Sequence, residues 1–251
     1  MPMLAGHTIV VTGAARGLGF VIAQSLAKCG ARLVLADTLR DEGEVAAANI
    51  ARTGATARFV HVDLVDPKSI EALAADVAKH ENRCDGLVNN AAIATGIGGK
   101  MFDEIDIGTW DRVMTVNVRG TWLVTRAFAP LLSASKRGRI VNVASDTALW
   151  GAPRLLAYTT SKGAIISMTR SLARELGPRG IGITCIAPGI LKTWSTEYVP
   201  TERHEMYETG RAVPGPQQPE DITATVAFLL SPGALTLTGQ LLPVDNGFVF
   251  T

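Results

Sequence analysis

Short apolar segments alternate with longer amphipathic segments along the chain. The short segments are rich in valine, isoleucine and leucine, and each ends at a small or polar residue, which predicts strands buried on both faces of a sheet. These strands are predicted at Thr8–Thr12, Arg32–Asp37, Arg58–Asp63, Gly86–Asn90, Arg139–Ser145, Gly182–Ala187 and Gln240–Asp245. The longer segments have helical periodicity. They predict helices at Gly17–Cys29, Asp41–Arg52, Pro67–His80, Thr109–Leu132, Ala157–Leu176 and Pro219–Leu230.

This alternation of strand and helix predicts an α/β fold, with a seven-stranded parallel sheet flanked by helices on both faces. The chain shows no shift of composition, no linker and no internal repeat, so we expect one domain over residues 1–251. Two segments interrupt the alternation: Ala94–Phe102 is glycine-rich, and Trp194–Pro216 is polar and aromatic. Both follow the carboxyl ends of strands, where open α/β sheets bind ligands, so we expect residues 194–216 to form a substrate loop.

Composition and charge narrow the classes of function. The chain has 251 residues, of which 47% are hydrophobic, and a net charge of +1. This balance provides no electrostatic footprint for nucleic acid or for an anionic membrane surface. No apolar run approaches the roughly 20 residues of a membrane span, and the N-terminus lacks the pattern of a signal peptide. We therefore expect a soluble cytoplasmic protein with no nucleic-acid or membrane partner.

The three cysteines, Cys29, Cys84 and Cys185, lie far apart and form no Cys-x-x-Cys motif. This spacing argues against a disulfide framework and against a zinc site. We expect no metal and a reducing compartment.

A glycine-rich turn, Thr12–Gly19, lies between the first predicted strand and the first predicted helix. Gly13 can adopt a tight turn, Gly17 lets the backbone approach a pyrophosphate, and Gly19 permits close packing of helix on strand. The N-terminus of the following helix directs free N–H groups and a partial positive charge at the phosphates. The sequence therefore predicts a dinucleotide site formed by Gly13, Arg16, Gly17, Leu18 and Gly19.

Asp37 ends the second predicted strand. A carboxylate there can accept hydrogen bonds from both ribose hydroxyls of adenosine and would repel a 2′-phosphate, which favours NAD over NADP. Arg16 and Arg40 count in the other direction, because an arginine nearby can hold that phosphate. Asp63 and Leu64 close the third strand and are candidates for contact with the adenine, although Asp63 could equally be a turn residue.

Tyr158 and Lys162 lie four residues apart, and Ser145 precedes the tyrosine by thirteen residues. On a helix, the phenol and the ammonium would lie on one face, one turn apart. A cation stabilises phenolate over phenol and lowers the tyrosine pKa from its usual value near ~10. Such a phenol can act as a general acid or base near neutral pH.

Several further motifs occur in order along the chain. They are Asn89-Asn90-Ala91, Asn117 between Val116 and Val118, Pro188-Gly189 with Thr193, and Leu237-Thr238-Gly239-Gln240 followed by Val244-Asp245. Together with the glycine turn, Ser145, Tyr158 and Lys162, they give the chain a resemblance to the short-chain dehydrogenase/reductase family from Thr12 to Gly247. Two positions depart from the family pattern, Ala92 and Asn246, where glycine is customary. Asn246 is a tolerable exchange, because asparagine accepts left-handed conformations.

The resemblance implies a Rossmann fold and specific roles. Tyr158 would exchange a proton with the substrate oxygen, Lys162 would hold the nicotinamide ribose, and Ser145 would donate a hydrogen bond to the substrate oxygen. Asn117 would anchor a water that links Lys162 to solvent. The implied cofactor contacts also include Asn90, Ala91, Pro188, Gly189, Ile190 and Thr193. Taken singly, each residue has a structural alternative: a helix pair for the tyrosine and lysine, a strand-ending hydroxyl for the serine, and a buried amide for Asn117.

The predicted loops carry Trp150, Trp194, Tyr198, Met206 and Tyr207. Aromatic and sulfur side chains suit a small, mostly apolar secondary alcohol or ketone, cyclic or aromatic. Alternatively, these side chains fold the loop onto itself or fill an oligomer contact.

Three functions compete on this sequence. The first is an NAD-dependent alcohol dehydrogenase, and the second is an NADP-dependent 3-oxoacyl-type reductase. The third is a cofactor-binding scaffold without turnover, against which the complete set of Ser145, Asn117, Tyr158 and Lys162 argues. The resemblance also implies a homo-oligomer, a tetramer or a dimer, packed through the helices predicted at Thr109–Leu132 and Ala157–Leu176.

Overall fold

A parallel sheet of seven strands forms the centre of the protein in the computed structural model, which describes residues 2–251. The strands are β1 (Thr8–Thr12), β2 (Arg32–Asp37), β3 (Ala57–His61), β4 (Gly86–Asn89), β5 (Arg139–Val143), β6 (Gly182–Pro188) and β7 (Leu241–Val244). Their order in the sheet is β3-β2-β1-β4-β5-β6-β7. The predicted strands and the doubly wound α/β Rossmann fold are confirmed, with small differences at the strand ends.

Helices cover both faces of the sheet, as predicted. They are α1 (Gly17–Lys28), α2 (Arg40–Ala51), α3 (Pro67–Glu81), α4 (Ile107–Met114), α5 (Thr121–Ala134), α6 (Thr147–Trp150), α7 (Leu156–Leu176), α8 (Thr201–Gly210) and α9 (Thr223–Leu229). On one face, Ile22 and Val226 belong to a cluster of buried apolar residues that packs α1 and α9 on the sheet. On the other face, Leu73 and Phe128 belong to a second such cluster, from α3 and α5. The core therefore consists of two apolar layers with the sheet between them.

The helix predicted over Thr109–Leu132 is interrupted. A π-helical turn, Thr115–Gly120, separates α4 from α5. A side chain at Gly120 would approach within 2.9 Å of the Leu64 Cβ, so the turn depends on glycine for its close contact with the loop after β3. Such insertions are frequent at functional sites, and this one carries Asn117.

Helix α8 was not predicted and lies within the 194–216 segment. Its residues are polar apart from Met206, Tyr207 and Gly210, and of the ten residues only Tyr207 is buried. An apolar stripe that could have revealed the helix is therefore missing.

The order of the strands reverses between β1 and β4, so the loops that follow these two strands diverge. This divergence opens a crevice at the carboxyl edge of the sheet, the usual ligand position in such folds. At the end of β7, Asn246 has a φ of 59°, which confirms that asparagine here takes the left-handed conformation. No helix within residues 2–251 has both the length and the apolar character needed to cross a membrane.

Candidate active site

A cleft of about 870 Å³ lies in the crevice at the carboxyl edge of the sheet. Nearly all the site residues predicted from the sequence meet in its lining. They are Gly13, Arg16, Gly17, Leu18, Gly19, Asp37, Asp63, Leu64, Asn90, Ala91, Ser145, Tyr158, Lys162, Pro188, Gly189, Ile190 and Thr193. Asn117 is buried beside the cleft, and it accepts a hydrogen bond from the backbone of Ile93, which lines the cleft.

The glycine turn forms one end of the cleft. Gly13 has a φ of 66°, and a Cβ on it would lie 2.7 Å from the Ala91 Cα. A Cβ on Gly19 would overlap the carbonyl oxygen of Gly13. In the described chain, the N-terminus of α1 has neither a side-chain cap nor an acidic residue in its first turn. Its N–H groups therefore remain available to an anion, and this cradle fits the pyrophosphate of a dinucleotide.

Asn90 holds the glycine turn in place. Its amide Nδ2 donates hydrogen bonds to the carbonyl oxygens of Thr12 and Gly13, each at 3.0 Å. The amide donors are thus used within the protein. Asn90 lines the cleft, but its side chain supports the turn.

Asp37 stands at the end of β2, beside the glycine turn. Its Oδ2 accepts a hydrogen bond from the Ala15 N–H at 3.0 Å, and its Oδ1 accepts one from the Leu39 N–H at 3.1 Å. Arg16 is directed elsewhere, with its guanidinium carbon 3.9 Å from the ring centroid of Trp194. The charge that faces this end of the cleft is therefore a fixed carboxylate.

Lys162 projects from α7 and is almost completely buried. Its Nζ donates a hydrogen bond to the carbonyl oxygen of Val143 at 2.7 Å. Burial disfavours the charged ammonium and lowers the pKa of Lys162 to about 8. An ammonium has three N–H donors, so two remain for a ligand in the cleft.

Tyr158 lies one turn earlier on α7, with the Lys162 Nζ 5.5 Å from its ring centroid. Burial raises the pKa of the Tyr158 phenol, while the neighbouring Ser145 hydroxyl acts in the opposite direction. The prediction that Lys162 lowers the pKa of this phenol is therefore wrong for the protein as it stands. The physical reason is that burial disfavours the charged phenolate, and the Lys162 ammonium donates its hydrogen bond to the Val143 carbonyl and not to the phenol.

Ser145 follows the end of β5. Its Oγ accepts hydrogen bonds from the Thr147 hydroxyl at 2.9 Å and from the Thr147 N–H at 3.3 Å. It donates a long hydrogen bond of 3.4 Å to Asp146 Oδ1. The acceptor positions of the serine oxygen are thus filled, and its proton is held only weakly. A hydroxyl in this state can donate to a substrate oxygen.

Asn117 uses its whole side-chain amide on neighbouring groups. Its Oδ1 accepts from the Ile93 N–H at 2.7 Å, and its Nδ2 donates to the Ile93 carbonyl and to Ser161 Oγ, each at 3.1 Å. Both amide donors are therefore occupied, which is the buried-amide alternative considered for this residue. The contact fixes the loop that follows β4.

The aromatic and sulfur side chains of the predicted loops contribute less to the cleft than expected. Trp194, Tyr198 and Tyr207 line the cleft. Trp150 instead lies against Tyr207, to whose oxygen its Nε1 donates a hydrogen bond at 3.0 Å, and Met206 points outward. The expectation that all five side chains contact substrate is therefore corrected for these two, which pack within the loop or face solvent.

Sequence reasoning expected the segment that begins at Asp146 to contact substrate, but it did not predict the hydrogen bonds that Asp146 and Thr147 form with Ser145. A local signal existed for Thr147, because serine and threonine two residues apart often bond through their hydroxyls and backbone. No local signal existed for Asp146, whose partner Tyr207 is 61 residues away.

Comparisons with known proteins agree with this geometry. A family model described as "Enoyl-(Acyl carrier protein) reductase" matches residues 13–249. The chain is 34% identical to cyclopentanol dehydrogenase of Comamonas sp. (strain NCIMB 9872), with 96% of each chain covered. It is 32% identical to a 3-oxoacyl-(acyl-carrier-protein) reductase of Aquifex aeolicus, with 97% of this chain and 98% of the relative covered.

One solved structure is also similar over the whole length. It is a putative NAD(P)-dependent gluconate 5-dehydrogenase from Beutenbergia cavernae, described with bound NADP at low occupancy. The TM-score is 0.91, the sequence identity is 36%, and 99% of each chain is covered. The likeness therefore includes both the fold and the sequence.

Proposed function

The chain belongs to the short-chain dehydrogenase/reductase family and is an NAD(P)-dependent alcohol dehydrogenase/ketone reductase, and we propose that it prefers NAD and acts on a small, mostly apolar secondary alcohol or its ketone. The observation that carries this proposal is the meeting of Ser145, Tyr158 and Lys162 with the glycine turn in one cleft. A phosphate cradle at one end and a proton donor at the other suit a redox exchange between a dinucleotide and an alcohol.

Three side chains carry the proposed chemistry. When bound, the nicotinamide supplies or accepts a hydride. Tyr158 takes the proton from the alcohol oxygen in oxidation and returns it in reduction. Ser145 donates a hydrogen bond to the same oxygen and stabilises the charge that develops on it. Lys162 directs its two free N–H donors into the cleft, where they suit the hydroxyls of a ribose.

The preference for NAD rests on the surroundings of Asp37. Its carboxylate is fixed by two backbone N–H groups, so it cannot easily turn away from a ribose. The next two residues, Thr38 and Leu39, bring no positive charge, and Arg16 is stacked on Trp194. Arg40 is exposed at the start of α2 and is not among the residues that line the cleft. A 2′-phosphate would therefore meet a negative charge. The similar structure from Beutenbergia cavernae is described with NADP, so this part of the proposal needs its own test.

Replacing Asp37→Asn is expected to reduce the preference for NAD over NADP by about tenfold, because the variant keeps hydrogen-bonding oxygen but removes the charge that repels a 2′-phosphate. The measurement is the ratio of kcat/KM for the two cofactors with one alcohol. Asp41→Asn is the matched control, because Asp41 is exposed at the start of α2. An unchanged ratio in Asp37→Asn would show that this carboxylate does not select the cofactor.

A small secondary alcohol suits the far end of the cleft, where Ala94, Leu155 and Val199 line the wall together with Tyr198. The similarity to cyclopentanol dehydrogenase, and to a meso-2,3-butanediol dehydrogenase of Serratia marcescens at 33% identity, supports this substrate class. Assays with cyclic and linear secondary alcohols, followed by the absorbance of reduced cofactor, test it directly.

A second candidate is an NADP-dependent 3-oxoacyl-type reductase, which the relative from Aquifex aeolicus favours. The net charge of +1 gives no broadly basic surface for an acidic carrier protein. Reduction of a 3-oxoacyl thioester with NADPH, faster than any oxidation of a simple alcohol with NAD, would favour this candidate. Binding of either cofactor without turnover of any substrate would favour a scaffold.

The rate of alcohol oxidation is expected to rise with pH from the neutral into the alkaline range. Tyr158 must be ionised to accept a proton, and burial raises the pKa of its phenol, so the ionised fraction is small at neutral pH and grows as pH rises. Ketone reduction needs the protonated phenol, which persists over the same range, so its rate should not rise. Initial rates in both directions across this range provide the measurement, and an oxidation rate independent of pH would contradict the assignment.

We also propose a cytoplasmic location and assembly as a homotetramer or a dimer. Apolar side chains exposed on the helices around the interrupted segment, Ile107 on α4 and Trp122 on α5, support an interface there.

A further inference from the structure

Tyr207 is the buried residue of helix α8, and it packs the helix against the rest of the domain. The Tyr207 ring stacks on Phe248 with centroids 4.2 Å apart and planes inclined by 23°. Its hydroxyl donates a hydrogen bond to Asp146 Oδ1 at 2.8 Å and accepts one from Trp150 Nε1 at 3.0 Å. The position of α8 is thus linked directly to the residue that follows Ser145.

Asp146 is completely buried and has an unusual set of partners. Its Oδ1 accepts from Tyr207 at 2.8 Å and from the Ser145 hydroxyl at 3.4 Å. Its Oδ2 is buried and has no hydrogen-bond partner among the described residues. A buried polar oxygen without a partner is costly, so the remaining partners of this carboxyl group have large influence.

The titratable and charged groups that face Asp146 are Tyr207, Asp245, Arg211 and Tyr158. Burial is the largest influence and raises the pKa of Asp146 to about 7. Asp245 acts in the same direction, whereas the hydrogen bond from Tyr207 and the charge of Arg211 act in the other. Asp146 is therefore ionised at alkaline pH, the range in which alcohol oxidation is expected to be fast.

We propose that Asp146 is a positioning residue through which Tyr207 couples the docking of α8 to the availability of the Ser145 proton. The proposal rests on the proposed function, because it assigns Ser145 as the hydrogen-bond donor to the substrate oxygen. When Tyr207 is docked, its short hydrogen bond occupies Asp146 Oδ1, and Ser145 keeps only a long bond to it. The serine proton is then free for substrate.

Without the Tyr207 hydroxyl the pKa of Asp146 rises further, and at a pH above it the ionised carboxylate has lost its strongest donor. The Ser145 hydroxyl, which already lies 3.4 Å from Asp146 Oδ1, can replace this donor. A charged acceptor forms stronger hydrogen bonds than a neutral one, so Asp146 would draw the serine proton away from the cleft. The docked position of α8 therefore keeps the Ser145 proton available to the substrate oxygen.

The variant Tyr207→Phe isolates this hydroxyl, because the ring can keep its stack on Phe248. We expect kcat at alkaline pH to fall by about tenfold to a hundredfold, which is less than the roughly 10²- to 10³-fold loss when a donor to a reacting oxygen is removed. The Kd of the dinucleotide should stay unchanged, since the glycine turn is not touched. A kcat within about twofold of the wild type would overturn the proposal.

A second substitution in the same chain distinguishes this mechanism from loss of structure. Asp146→Asn replaces the charged acceptor with a neutral one, which competes less strongly for the serine proton. The double variant Tyr207→Phe with Asp146→Asn should therefore recover several-fold of the kcat that Tyr207→Phe loses. Two additive structural defects would lower kcat further, and that result would overturn the proposal. Thr209→Val, which removes an exposed hydroxyl from the same helix, is the matched control for the first substitution.

Hydrogen–deuterium exchange of residues 201–210 supplies a measurement that is independent of turnover. Tyr207→Phe should increase exchange in α8, and Thr209→Val should not. If the wild type turned over no alcohol or ketone, the proposed function would fail, while increased exchange would still establish the anchoring by Tyr207. Unchanged exchange in Tyr207→Phe would remove the link between α8 and Asp146 and overturn the proposal.

Discussion

Replacing Tyr158→Phe is expected to lower kcat by about 10²- to 10⁴-fold, the contribution typical of a positioned general acid or base. The substitution removes one oxygen and leaves the ring on α7. Lys162 keeps its hydrogen bond to the Val143 carbonyl, since that bond does not involve the phenol. The Kd for the reduced dinucleotide should therefore change little.

Two measurements on Tyr158→Phe check this expectation together. Steady-state kinetics give kcat, and titration of nicotinamide fluorescence gives the Kd. A large loss of kcat with a normal Kd assigns the phenol to proton transfer. If the variant turned over alcohol at the rate of the wild type, the proton would have to pass through another group.

Replacing Gly19→Ala is expected to abolish measurable dinucleotide binding and to lower the Tm. A Cβ at this position would overlap the Gly13 carbonyl oxygen and crowd Asn90 Nδ2, the group that holds the glycine turn. Neither neighbour can move freely, because the first is backbone and the second is bonded to that backbone. The turn would have to open, and the N-terminus of α1 would lose its alignment with the phosphates.

Gly163→Ala is the matched control for Gly19→Ala. Gly163 lies in the interior of α7, and a Cβ there would meet no atom within 4 Å. Alanine has the higher helix propensity, so this variant should bind the dinucleotide and be as stable as the wild type or slightly more stable. Normal binding by Gly19→Ala, measured by calorimetry, would contradict the assignment of the glycine turn to the pyrophosphate.

Features carried by local sequence could be predicted. The strands were evident from short apolar runs, and the anion cradle in the cleft from Gly13, Gly17 and Gly19, whose positive φ or close backbone contacts favour glycine. The pairing of Tyr158 with Lys162 followed from their spacing on one helix. In each case the determining residues are neighbours along the chain, so the chemistry can be read from a few consecutive positions.

Features that depend on distant contacts could not be predicted. Helix α8 has no apolar stripe, because one residue, Tyr207, provides its buried contact. The hydrogen bond from Tyr207 to Asp146 joins residues 61 positions apart, and no local pattern announces it. The sequence also predicted the wrong direction for the pKa shift of Tyr158. Spacing reveals that a lysine is near, but it does not reveal that the phenol is buried or that Lys162 donates to the Val143 carbonyl.

The most direct test of the proposed chemistry follows one atom from substrate to cofactor. The wild-type protein is incubated with NAD and cyclopentanol that carries deuterium on the carbon bearing the hydroxyl, and the reduced dinucleotide is analysed by mass spectrometry. We expect deuterium on the nicotinamide ring with the wild type, and almost none within the same time with Tyr158→Phe. Reduced cofactor without deuterium would contradict hydride transfer from the alcohol. Equal transfer by both proteins would contradict the role of the Tyr158 hydroxyl.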